Sequence, residues 1–137
     1  MSDASTYTAQ QFVNWLSQGT IATAPDSIYV ALFDDTGSEV SGDFANKRVQ
    51  TTAGTDWNVT GTNDTDFENA NQIDFGEASV DVNNIETVRL YDDSLANGGN
   101  EITQTTLDNA PVTIAAGSNG AFETGSFTFD VIDVDGN

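Results

Sequence analysis

Two aspartate pairs are the first residues to weigh for chemistry. Asp34-Asp35 and Asp92-Asp93 each follow an apolar stretch, in LFDD and LYDD. Paired carboxylates can run glycoside hydrolysis when a cleft holds them at a fixed separation. The sequence gives no sign of a cleft, and the 16 Asp and 6 Glu of this 137-residue chain are scattered along its whole length. The expectation is no enzyme and no catalytic residue. A second group, Asp130, Asp133 and Asp135 in DVIDVDGN, resembles half of a calcium loop. An EF-hand also needs a bidentate Glu after its glycine and two flanking helices. The sequence closes at Asn137 without them, so no metal and no cofactor are expected.

Other chemistries fall by composition. Cysteine and histidine are both absent. That removes disulfides, thiolate metal sites, the Ser-His-Asp constellation and the usual neutral-pH general base. Asn58-Val59-Thr60 and Asn63-Asp64-Thr65 match the glycosylation pattern. Chance matches are expected in a chain this rich in Asn and Thr, and MSDASTYTAQ has neither the basic start nor the apolar core of a signal peptide. Lys47 and Arg89 stand out by rarity, since only three residues are basic. Each is expected in a local ion pair, with Arg89 partly buried beside a carboxylate.

The formal charge of -19 bears on partners. Such a surface repels a phosphate backbone, so nucleic acid is not an expected partner. No run reaches the ~18 apolar residues of a membrane span. A hydrophobic content of 37 % with aromatics from Tyr7 to Phe129 marks a folded protein and not an acidic tail. The surplus of short carboxylates and the near absence of lysine point to a very salty solvent. The Debye length is ~3 Å in molar salt and ~10 Å at tenth-molar, so repulsion crosses the molecule only in dilute buffer.

The elements that must carry these residues are mostly strands. One helix opens the chain, over residues 8–19, with Thr8 and Gln11 as a capping box and Gly19 as its stop. Ala24-Pro25-Asp26 then breaks the chain. Strands are expected over 27–33, 44–51, 55–60, around Phe67, and over 72–75, 85–91, 101–107, 112–115 and 126–134. Turns are expected at Asn97-Gly98-Gly99 and over 117–120. On the sixth of these strands Ile85, Thr87, Arg89 and Tyr91 alternate with Glu86, Val88 and Leu90. The pattern predicts an all-β fold, a two-sheet antiparallel sandwich of jelly-roll type over 27–134, in one domain spanning 1–137. Its expected core is Tyr29, Ala31, Phe33, Phe75, Val88, Leu90, Phe127 and Phe129.

The helix carries Phe12, Val13, Trp15 and Leu16 on one apolar face. A small sandwich fills its own core, so this face either caps an open end or docks on another subunit. These four are the candidate oligomer contacts.

The order of segments resembles a known family. FVNWLSQGT is followed by TAPDSIYVALF, TGSEVSG, FANKRV, NANQIDFGEA, ETVRLYDDSLANGGN and FETGSFTFDV. Over about residues 8–134 this ordered set resembles small structural proteins of tailed phages, of the tail-fibre or head-associated kind. Phe44 stands where that pattern has Tyr, and Asp92-Asp93 where it has Asp-Ala. The resemblance implies a virion structural protein, assembled in the host cytoplasm as a trimer or pentamer with other virion proteins, as a head turret or a tail fibre. With the acidity it implies a tailed virus of a haloarchaeon. The alternative is a module that binds a host glycan or surface-layer protein through the loops Asp34 to Asp43 or Asn97 to Asn100.

Overall fold

The computed structural model describes residues 3–21, 24–60 and 66–130. Its elements are β1 (Asp3–Ala4), α1 (Thr6–Gln18), β2 (Ser27–Asp34), β3 (Val49–Thr52), β4 (Trp57–Thr60), β5 (Asp66–Asn69), β6 (Ile73–Glu77), β7 (Val82–Tyr91), β8 (Glu101–Thr106), β9 (Val112–Ile114), β10 (Asn119–Phe122) and β11 (Thr128–Asp130). The large sheet runs β1-β8-β7-β2-β3, with β9 also on β7. Two smaller ladders, β10-β6 and β11-β5-β4, complete an antiparallel sandwich.

Strand β2 is central because almost every residue of SIYVALF is apolar. Val30 to Phe33 are all buried, as a strand covered on both faces requires. Val30 and Leu32 join Phe75, Ile85, Val88, Leu90, Phe127 and Phe129 in the core between the sheets. Ala31 and Phe33, expected in that same core, are buried on the other face, and Tyr29 is half-buried. The two-residue period of the strand separates the sets.

Ile85 also changes sides. Phe33 pairs with Thr87 and Asp34 with Ile85, leaving Glu86 as an extra residue on β7. That bulge turns Ile85 away from the Thr87 and Arg89 face and into the core with Val88 and Leu90.

The helix begins earlier than its sequence signal. Ser5 is the N-cap, its hydroxyl accepting from the Thr8 amide at 3.1 Å. Thr8, the expected cap, instead donates its hydroxyl to the Ile102 carbonyl at 2.9 Å and ties α1 to β8. Gly19 ends the helix as expected, at φ 70° with its amide on the Trp15 carbonyl.

The expected strand over 44–51 is mostly loop. Ser41–Asp43 is a 3₁₀ turn, Phe44 makes a single bridge to Ala78, and Lys47 at φ 52° delays pairing until Val49. Strand β10 begins inside the turn expected over 117–120. Gly120 permits this, because a Cβ there would lie 2.6 Å from the Phe44 ring. The last expected strand is β11, and residues 131–134 fall outside the described residues.

Candidate functional site

The two aspartate pairs lie at opposite ends of neighbouring antiparallel strands, since Tyr29 pairs with Tyr91 and Asp34 with Ile85. Asp34, Asp92 and Asp93 each organise a turn. Asp34 accepts from the Thr36 hydroxyl at 2.7 Å and from the Thr36 and Ser38 amides at 2.9 Å. The Thr36 hydroxyl, with the Ser38 amide next, holds its carboxyl below the usual value. Asp92 accepts from the Asn100 amide, and Asp93 from the Leu95 amide. These are turn-capping geometries, with the acceptors aimed at backbone and not at a shared cleft. Among the described residues no group of three or more acidic side chains is gathered around a metal position. Asp130 lies in β11, and Asp133 and Asp135 fall outside the described residues.

The loops Asp34 to Asp43 and Asn97 to Asn100 are brought together, and the residue that joins them is one the sequence reading passed over. Arg48 is buried beside Glu39, with side chains 1 % and 2 % exposed. Its Nε and Nη2 donate to the two Glu39 oxygens at 2.9 and 2.8 Å. Nη1 donates to the Asp93 and Gly98 carbonyls at 2.7 and 3.0 Å. The guanidinium lies 3.9 Å over the Tyr91 ring. Glu39 also accepts from the Ser41 hydroxyl and from the Asn97 amide, at 2.7 and 2.9 Å. One bidentate ion pair thus fastens both loops to the outer face of β2 and β7. Burial alone would raise the Glu39 pKa, but Arg48, the Asn97 amide and the Ser41 hydroxyl outweigh it and hold it below the usual value.

Arg89 sits as expected. It is half-buried, 3.5 Å from Glu101, with its guanidinium 3.9 Å over Phe33. Lys47 is exposed, with no ion pair among the described residues. The signal that could have separated Lys47 from Arg48 was chemical: a forked guanidinium satisfies a buried carboxylate and carbonyls together, and an ammonium does not. Asn58 is exposed on β4, and Asn63 falls outside the described residues.

The helix leaves its apolar face in solvent. Phe12, Val13, Trp15 and Leu16 are 43, 59, 54 and 77 % exposed, so none of them caps the sandwich core. A groove beside them is lined by Tyr7, Gln11, Ile21, Pro25 and Ile102. Residues 4–25 contain no charged side chain, in a chain with 22 acids. Among the described residues no helix is long and apolar enough to cross a membrane.

No curated protein matches the chain. A family model described as podophage GP4 fiber I protein gp80 does match, over residues 3–130. The matched span holds α1 and every strand of the three ladders, the Glu39–Arg48 pair included. The chain therefore belongs to the podophage GP4 fiber I protein gp80 family.

Proposed function

We propose that the chain is a fiber component of a tailed-virus particle, one compact domain whose work is structural and not catalytic. The observation that carries this is the family match from Asp3 to Asp130. Three of its four paired aspartates, Asp34, Asp92 and Asp93, serve as turn caps, which suits a rigid building block better than a reactive site.

The helix supports assembly with further copies of itself. A partner of opposite charge would be drawn to the carboxylates, whereas a second chain of charge -19 meets the first most cheaply where neither carries charge. The face of Phe12, Val13, Trp15 and Leu16 is that place. Cyclic assembly, as a trimer or pentamer, fits a fiber built of identical chains. The acidic surface further suits a virus of a haloarchaeal host. That part of the reading requires the fold to gain stability between dilute buffer and molar KCl, and a salt-independent urea midpoint would remove it.

Mass spectrometry of separated heads and tails tests the main claim. The chain is expected in purified particles, in the tail for a tail fiber and in the head for a turret. Its presence in infected cells and absence from particles would overturn the structural role.

A further inference from the structure

The loops first considered for ligand binding direct their polar groups at one another; a different part of the surface does not. Two β-turns face each other across a cavity of about 250 Å³ lined by Leu107, Asp108, Asn109, Val112, Phe122 and Ser126. In the first turn the Ala110 amide donates to the Leu107 carbonyl at 3.1 Å, placing Asp108 and Asn109 at its two central positions. In the second the Ser126 amide donates to the Glu123 carbonyl at 3.0 Å. The apolar side is set by Leu107, which is buried, and by Val112 and Phe122, which are half-buried. Phe122 is held from behind by Phe127 at 4.7 Å and Phe75 at 6.0 Å between ring centroids.

The side chains of Asp108, Asn109 and Ser126 are exposed and make no hydrogen bond within the described residues. This separates them from Asp34, Asp56, Asp74, Asp81, Asp92 and Asp93, each of which accepts a backbone amide. The cavity thus offers an acceptor-only carboxylate, an amide that donates and accepts, and a hydroxyl that does both, above an apolar floor. An anionic ligand is repelled by Asp108 and by the net charge. A purely apolar ligand would strip water from three polar groups without replacing it. A neutral sugar ring meets each demand: vicinal hydroxyls donate to the carboxylate, other hydroxyls pair with Asn109 and Ser126, and the C–H face covers Val112 and Phe122.

We propose that this cavity is a binding site for one neutral monosaccharide unit of a glycan. The site goes beyond the fiber reading, because sugar binding by the purified chain does not depend on its position on a particle. A negative result here leaves that reading standing, and a positive result holds for this site even if particles lack the protein and the fiber reading falls.

The experiment is an amide NMR titration of the full chain with the methyl glycosides of glucose, galactose, mannose and N-acetylglucosamine, each tested alone in molar KCl. At least one is expected to bind with a dissociation constant on the order of 1–10 mM, as a single shallow subsite should. The shifts should cluster on residues 107–112 and 122–126. Asp108→Ala and Asn109→Ala, both at an exposed turn, should each weaken that binding by at least ~10-fold while leaving the remaining spectrum unchanged. Saturable shifts confined to another surface would overturn the proposal, as would no shift with any of the four. Equal affinity in both variants would do the same, and so would a response to lysine methyl ester but to no glycoside.

Discussion

Replacing Arg48 by Met should be the most damaging single change among the polar residues. The substitution keeps much of the side chain's volume and removes every donor. Glu39 would then remain a buried carboxylate held only by the Ser41 hydroxyl and the Asn97 amide. The Asp93 and Gly98 carbonyls would lose their shared donor. Breaking a buried ion pair from one side costs about 3–5 kcal/mol. The two carbonyls belong to residues that are only partly buried, and the figure is for the ion pair alone. Against a total stability of ~5–15 kcal/mol the loss is large. At roughly 3–5 °C per kcal/mol for a chain of this size, it should lower Tm by about 10–20 °C. Urea unfolding in molar KCl, followed by far-ultraviolet circular dichroism, measures it. The cycle with Glu39→Gln gives the sharper reading: the double variant should be more stable than additivity predicts, by about 1–3 kcal/mol, because the second change removes the stranded charge. Arg48→Lys should recover only part of the loss, since an ammonium cannot bridge both carboxylate oxygens and two carbonyls. A cost below ~1 kcal/mol for Arg48→Met, or a cycle additive within ~0.5 kcal/mol, would place the pair with weak surface ion pairs and refute the reasoning.

Three further outcomes are expected. The folded Glu39 pKa lies below the ordinary value it has in the unfolded chain, so the stability it contributes is full above that ordinary value and lost as pH falls through the folded one. The gap in urea midpoint between wild type and Glu39→Gln should therefore be constant near neutrality and narrow in acid; a gap unchanged well below pH ~4 contradicts the linkage. Trp15→Ala should reduce the sedimenting species to smaller assemblies while changing the stability of the fold by no more than ~0.5 kcal/mol, because the ring is 54 % exposed. Gly120→Ala should cost about 1–3 kcal/mol by driving a Cβ into the Phe44 ring. Gly42→Ala, where no atom lies within 4 Å of the added carbon, should stay within ~0.5 kcal/mol of wild type by the same urea assay.

The sequence carried the architecture where local chemistry and tertiary placement agree. SIYVALF has no polar face to offer solvent, and it became the strand buried on both sides. Gly19 stops the helix because a left-handed residue is needed there, a demand visible in one letter. The helix start was less legible. Ser5 and Thr8 are both competent caps, and the choice is made by the Ile102 carbonyl, 94 positions along the chain from Thr8, which takes the Thr8 hydroxyl. The face of Ile85 depends on a bulge at Glu86 that alternation cannot announce. Lys47 and Arg48 are adjacent, and the interior takes Arg48, whose fork can satisfy Glu39 and two carbonyls at once, while Lys47 at positive φ stays exposed. The Asp108 cavity was invisible too, since its two turns lie on separate stretches of the chain and are brought together only by the tertiary fold.

The abundance of Asp over Glu has a structural source. An Asp carboxylate is short enough to accept the amide two residues onward, as Asp34, Asp74 and Asp93 do with Thr36, Gly76 and Leu95. Others reach across the chain, Asp81 to the Ala116 amide and Asp92 to that of Asn100. With three basic residues against 22 acids, cations cannot be the main partners of the carboxylates, and backbone amides take that place. Such bonds act at contact distance and survive where salt screens longer-range attraction. It follows that the salt response of the fold should come from exposed acids that hold no turn among the described residues, such as Asp35 and Asp108, and not from the caps. It also follows that an assembly surface cannot be built on complementary charge between identical chains this acidic. The stretch from Ala4 to Pro25, free of charge and carrying four solvent-facing apolar side chains, is where cohesion between copies can be placed without setting carboxylate against carboxylate.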